Sequence, residues 1–113
     1  MEQKWFGELS AVVKRVTRFN KVNAPVASAF HKLETATREG NVLDAKTHEL
    51  ISLAVAVTTR CDGCIAAHAG AAKRAGASKE EVAAALGTAI ALNARAAYVY
   101  SSRAFEAFEE LEA

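Results

Sequence analysis

Residues 44–68 read DAKTHELISLAVAVTTRCDGCIAAH, and this stretch decides the fold. Asp44 offers a side-chain oxygen that can cap a helix. Leu50, Ile51, Leu53, Ala54 and Val57 then follow with neither proline nor glycine before Arg60, so one helix is expected from Asp44 to about Thr59. After Glu49 it is apolar nearly all round, the signature of a central buried helix. A second helix begins at Cys61. Cys61 and Cys64 stand three apart and His68 four beyond Cys64, a spacing that puts both sulfurs and the imidazole on one helix face.

Outward from this stretch the chain stays helical. Trp5, Leu9, Val12, Val13, Val16 and Phe19 recur at helical spacing. Pro25 suits the first turn of the next helix, which carries Val26, Phe30, Leu33 and Thr37 on one face and stops at Gly40. Downstream, the cysteine helix runs to about Ala75 and is closed by Gly76. Ser78-Lys79-Glu80-Glu81 then forms a capping box for a helix bearing Val82, Leu86, Ile90 and Leu92. From Asn93 to about Leu111, with Tyr98, Phe105 and Phe108, the pattern fits either a sixth helix or a continuation of the fifth. The acidic end (Glu109, Glu110, Glu112) is expected to fray. The expected class is all-α, a single domain over residues 1–113 with about six helices and the Cys-x-x-Cys pair at the start of one of them.

Composition narrows the partners. The net charge is +1 with both signs interspersed, so nucleic acid and anionic membrane are poor candidates. No uninterrupted apolar run is longer than Leu53–Val57, which is far too short to span a bilayer. Residues 1–6 lack the apolar region of a secretory signal, which makes cytoplasm the default expectation. Close to a quarter of the residues are alanine, which favours helix and close helix approach but buries little apolar area. Association with further copies of the chain is therefore expected. The sequence marks no flavin, haem, nucleotide or phosphate site, so no cofactor is expected.

The chemistry centres on the two cysteines. A helix start supplies free N–H groups and the positive end of the dipole, which together stabilise a thiolate. That favours Cys61 as nucleophile, whereas the four-residue spacing to His68 favours Cys64. Antiparallel packing of the two helices would bring Glu49 to His68, where a carboxylate can orient and charge the imidazole. Plain alternatives stand beside these readings: a pair of buried small cysteines, a zinc site made by Cys61, Cys64, His68 and Glu49, and a solvated first-turn carboxylate at Glu49. His48 is expected at the surface, His31 in a structural role, and Tyr98, Tyr100, Phe105 and Phe108 in the core or a subunit interface.

Glu49, eleven residues, Cys61-x-x-Cys64, three residues and His68, within the flanks Leu43–Ile51 and Gly76–Val82, resemble the alkylhydroperoxidase D-like branch of the carboxymuconolactone decarboxylase family over roughly residues 25–105. The resemblance implies a compact all-helical fold assembled into trimers or hexamers that reduces organic hydroperoxides. It implies Cys64 as the attacking thiolate, Cys61 as the resolving thiol, Glu49 and His68 as a proton relay, and an external dithiol, lipoyl or thioredoxin-like, as reductant. The best-studied members of that branch carry a further histidine just before the second cysteine; Gly63 stands there in this chain. A disulfide reductase or redox relay for a protein or lipoyl partner, and a non-enzymatic redox-sensing oligomer, are the alternatives.

Overall fold

The computed structural model describes residues 4–112, and their regular structure is entirely helical. In chain order come α1 (Lys4–Val22), α2 (Ala24–Ala36), a short 3-10 turn (Glu39–Asn41), α3 (Ala45–Thr59), α4 (Asp62–Arg74) and α5 (Lys79–Glu110).

Local chemistry sets these boundaries. Pro25 lies in the first turn of α2, where its missing N–H has no intrahelical partner to lose. Asp44 caps α3 by accepting the Thr47 amide at 2.8 Å. At the head of α5 the Ser78 hydroxyl accepts the Glu81 amide at 3.0 Å and the Glu81 carboxylate accepts the Ser78 amide at 2.9 Å, which is the reciprocal capping box the sequence announces. α3 and α4 end alike. The amides of Cys61 and Arg60 reach back to the carbonyls of Ala56 and Val57, and those of Ala77 and Gly76 to Ala72 and Lys73. Such an ending needs one left-handed residue. Gly76 supplies it at φ 88° without steric penalty, but at the end of α3 it is Arg60, at φ 55°, that must adopt it.

α3 is the central element, packed on α4 along one side and on α5 along another, with α1 laid across α4 and α2 against α1. Among the described residues the buried apolar side chains are Leu53, Ala56, Ala66, Ala72 and Ala89. Four of these five are alanines, so the helices approach closely while little apolar area leaves water.

One expectation is corrected here and another is narrowed. α3 is not buried all round: Glu49, Leu53 and Ala56 face inward, whereas Ile51 is 49% and Val55 56% exposed. Tyr98, Tyr100, Phe105 and Phe108 are all exposed, as are Val26, Phe30 and Leu33 on α2, so of the two places expected for these four aromatics only a subunit interface stays open. Helical periodicity identifies an apolar face without saying what covers it.

The alternative left open at Asn93 resolves to a continuous helix, which extends through Glu109 and Glu110. Instead of ending α5, the Asn93 amide nitrogen donates to the Ala89 carbonyl at 2.7 Å and to the Thr58 hydroxyl at 2.8 Å, tying α5 to the end of α3. Beyond that tie every residue from 94 to 112 is exposed. The 32 residues of α5 make a rod of about 48 Å. By length and composition alone it is apolar enough to cross a membrane, because its many alanines raise its hydropathy without forming one long uninterrupted run. The arms give the chain a radius of gyration of 18.6 Å, against about 13 Å for a compact domain of this length.

Candidate functional site

The cysteine pair is built by the junction between α3 and α4. The Arg60 turn reverses the chain, and Cys61 becomes the N-cap of α4, its sulfur accepting the Cys64 amide at 3.2 Å. The two cysteines form a disulfide, with their Cα atoms 5.2 Å apart. Cys64 therefore sits in the first turn of α4, among free amide groups that favour negative charge on a sulfur.

His68 follows one turn later, and the antiparallel run of α3 brings Glu49 to it. Glu49 Oε2 lies 2.6 Å from His68 Nδ1, so Nδ1 donates to the carboxylate and Nε2 is the ring nitrogen that Glu49 leaves free. Glu49 is only 6% exposed, which excludes the solvated first-turn carboxylate. A buried charge requires partners, and the second oxygen has one too: Arg38 Nη2 donates to Oε1 at 3.1 Å.

A pocket of about 250 Å³ opens beside this pair, lined by Cys64 and His68 together with Ser52, Thr59, Ile51 and Val55. Cys61 does not line it. The pocket thus joins one sulfur, one imidazole and two hydroxyls to an apolar wall. Among the described residues, no group of three or more His, Cys, Asp or Glu side chains converges closely enough to hold a metal ion.

Gly63 has a steric explanation. A Cβ built there would lie 2.9 Å from both methyl groups of Val12, closer than carbon atoms in contact normally come. α1 crosses α4 at this point, and the position before Cys64 has no room for a side chain. The absence of a histidine at position 63 is therefore built into the packing of α1.

Sequence reading missed Arg38. It lies in the link after α2, and no periodicity or motif connects it to a carboxylate eleven positions away. His48, expected at the surface, is half-buried, its Nε2 accepting from Arg38 Nε at 3.3 Å. His31 and Tyr98 are exposed, and neither lines the pocket beside Cys64.

A model of the carboxymuconolactone decarboxylase family matches residues 24–113. The chain belongs to this family. It is 57% identical over 104 residues to an uncharacterized protein of Haemophilus influenzae, covering 92% of each chain. It is 32% identical over 93 residues to uncharacterized protein 4 in the cox locus of Paracoccus denitrificans, covering 82% of this chain and 84% of that one. Its fold matches the crystal structure of an apo carboxymuconolactone decarboxylase family protein from Legionella pneumophila, with a TM-score of 0.76, 31% identity and coverage of 96% and 97% of the two chains. Within the carboxymuconolactone decarboxylase family, the Cys61–Cys64 pair is consistent with the alkylhydroperoxidase D-like branch. α1, which closes position 63, lies ahead of the segment that the family model matches.

Proposed function

We propose that this family member is a thiol-dependent peroxidase for organic hydroperoxides, with Cys64 as the attacking sulfur. The observation that carries this reading is that Cys64 and His68 share one pocket while the buried Glu49 stands 2.6 Å behind the imidazole. In the reduced protein, His68 Nε2 takes the Cys64 thiol proton, and the helix start stabilises the thiolate. The thiolate attacks the terminal peroxide oxygen and the O–O bond breaks. The alkoxide leaves with the proton returned by His68, giving an alcohol and a sulfenic acid on Cys64. The Cys61 thiol then displaces water from that sulfenic acid to form the Cys61–Cys64 disulfide. An external dithiol, of lipoyl or thioredoxin-like type, restores both thiols and is itself oxidised to a disulfide.

Gly63 leaves the relay a single imidazole, and this feature favours the second reading, a disulfide relay serving a protein or lipoyl partner. Peroxide consumption with dithiol supplied separates the two. Reduced wild-type protein should turn over organic hydroperoxide, and Cys64→Ser should lose at least about a hundredfold, the scale of losing a catalytic nucleophile. If wild type forms its disulfide readily yet consumes no peroxide catalytically, the peroxidase reading falls and disulfide exchange replaces it.

A further inference from the structure

The relay pair Glu49–His68 spans α3 and α4, but the group that holds Glu49 from the other side belongs to neither helix. Arg38 follows the last turn of α2, its amide bonded to the Thr35 carbonyl at 3.1 Å. The chain then turns through Gly40 and Asn41, both at positive φ, before α3 begins. This turn folds the link back over the first turns of α3, and the guanidinium grips two neighbouring side chains there. Nε donates to His48 Nε2 at 3.3 Å, and Nη2 donates to Glu49 Oε1 at 3.1 Å. A planar fork attached at two points has a defined orientation that a single contact would not impose.

We propose that Arg38 is a positioning residue for the proton relay: by occupying Oε1 of the buried Glu49 it presents Oε2 to His68 Nδ1, which fixes the plane of the imidazole beside Cys64. This deepens the peroxidase reading and rests on it for its catalytic consequence. Three features support it. Both carboxylate oxygens of Glu49 have one protein partner each, on opposite sides. Glu49 has three side-chain torsions, so a carboxylate held by the imidazole alone would be free to swing. Arg38 also approaches from the solvent side, its own side chain 57% exposed against 8% for that of Glu49, so it covers the carboxylate and does not compete for the pocket. A purely structural role would consist of clasping the α2–α3 link, and it would leave His68 unaffected.

The experiment compares wild type, Arg38→Met, Arg38→Lys, Glu49→Gln and the Arg38→Met/Glu49→Gln double variant, all reduced. The first readout is the ¹⁵N shifts of the His68 ring nitrogens, which report the imidazole's hydrogen bonding whether or not peroxide is consumed. The second is kcat and KM for an organic hydroperoxide. Arg38→Met is expected to move the His68 shifts toward those of Glu49→Gln. It should also lower kcat by at least about tenfold, as misplacement of a catalytic group does, with KM held within about twofold. Arg38→Lys, which keeps a cation but loses the fork, should fall between. The double variant should be no slower than Glu49→Gln alone, because both changes break one unit. Wild-type His68 shifts in Arg38→Met, or losses that multiply in the double variant, would overturn the proposal. If Arg38→Met does not fold, Arg38→Lys decides by the same shifts: movement toward Glu49→Gln supports the role and wild-type shifts refute it. Should wild type itself consume no peroxide, the peroxidase reading fails while the His68 shifts still decide the role of Arg38.

Discussion

Val12 and Gly63 form the contact that most constrains the site. With a Cβ at position 63 placed 2.9 Å from both Val12 methyls, Gly63→Ala forces α1 off α4 or strains both. We expect a loss of about 1–3 kcal/mol, the usual range for overpacking a filled site, measured by denaturant unfolding at fixed protein concentration. Val12→Ala/Gly63→Ala should recover most of that loss. If Gly63→Ala is as stable as wild type, α1 does not rest on position 63 in solution. The same residues show what a sequence can reveal. Cys61, Cys64 and His68 declare themselves because helical spacing alone brings them together, and Glu49 follows once the two helices are taken as antiparallel. Arg38 and Val12 do not declare themselves. Their contacts cross eleven and about fifty positions of chain, and only the tertiary path of the α2–α3 link and of α1 makes them neighbours.

Helix boundaries were legible because capping is local. Asp44, Ser78, Glu81, Pro25 and Gly76 each act within a few residues of themselves, and the structure places all five where their chemistry predicts. Two boundaries depart from this: α2 ends at Ala36, short of the stop expected at Gly40, and α3 closes on Arg60, which takes a left-handed conformation that glycine adopts at lower cost. Arg60→Gly should raise the denaturant midpoint with an unchanged slope, a gain of about 1 kcal/mol from the relieved strain. A lower midpoint would mean that the arginine side chain contributes more than its backbone costs. The caps also carry a pH dependence. The Thr47 amide on Asp44 holds that carboxyl below its ordinary range, and the Lys46 ammonium, followed by the Ser78 amide, does the same for Glu81. Both are more readily ionised folded than unfolded, so their contribution is full above the ordinary carboxyl range near pH 4. It fades as pH falls through and below that range, where the unfolded chain binds more protons. Thermal midpoints should therefore decline between about pH 5 and 3. Asp44→Asn, which still caps but does not titrate, should flatten part of that decline; an unchanged slope would assign the acid sensitivity elsewhere.

At the scale of the molecule, the accessible surface is 9299 Å², whereas a compact chain of this mass exposes roughly 6,000 Å². The excess of roughly 3,000 Å² per chain exceeds the roughly 1,000–2,500 Å² that each partner contributes to one obligate interface, and exposed apolar side chains lie along α1, α2 and the distal part of α5. We propose that copies of this chain cover it, as the alanine-rich composition leads one to expect. Sedimentation equilibrium at micromolar concentration should give an assembly larger than one chain, and Phe105→Ser/Phe108→Ser should shift it toward monomer. A strict monomer at high micromolar concentration would remove self-association, and recovery of the protein with lipid vesicles would assign α5 to a bilayer instead. This part of the architecture was only half legible: the apolar faces are written in the periodicity, but their partner is not.

The sulfur of Cys61 is at once one half of the disulfide and the hydrogen-bond acceptor that holds the first turn of α4. Reducing the disulfide changes the bonding of the very atom that fastens the helix. The Cys64 amide hydrogen bond should therefore respond to reduction, and its hydrogen-exchange rate should differ between the oxidised and reduced protein; equal rates would mean that the cap does not sense the S–S bond. One backbone position would then report the oxidation state of the pair without any peroxide being consumed.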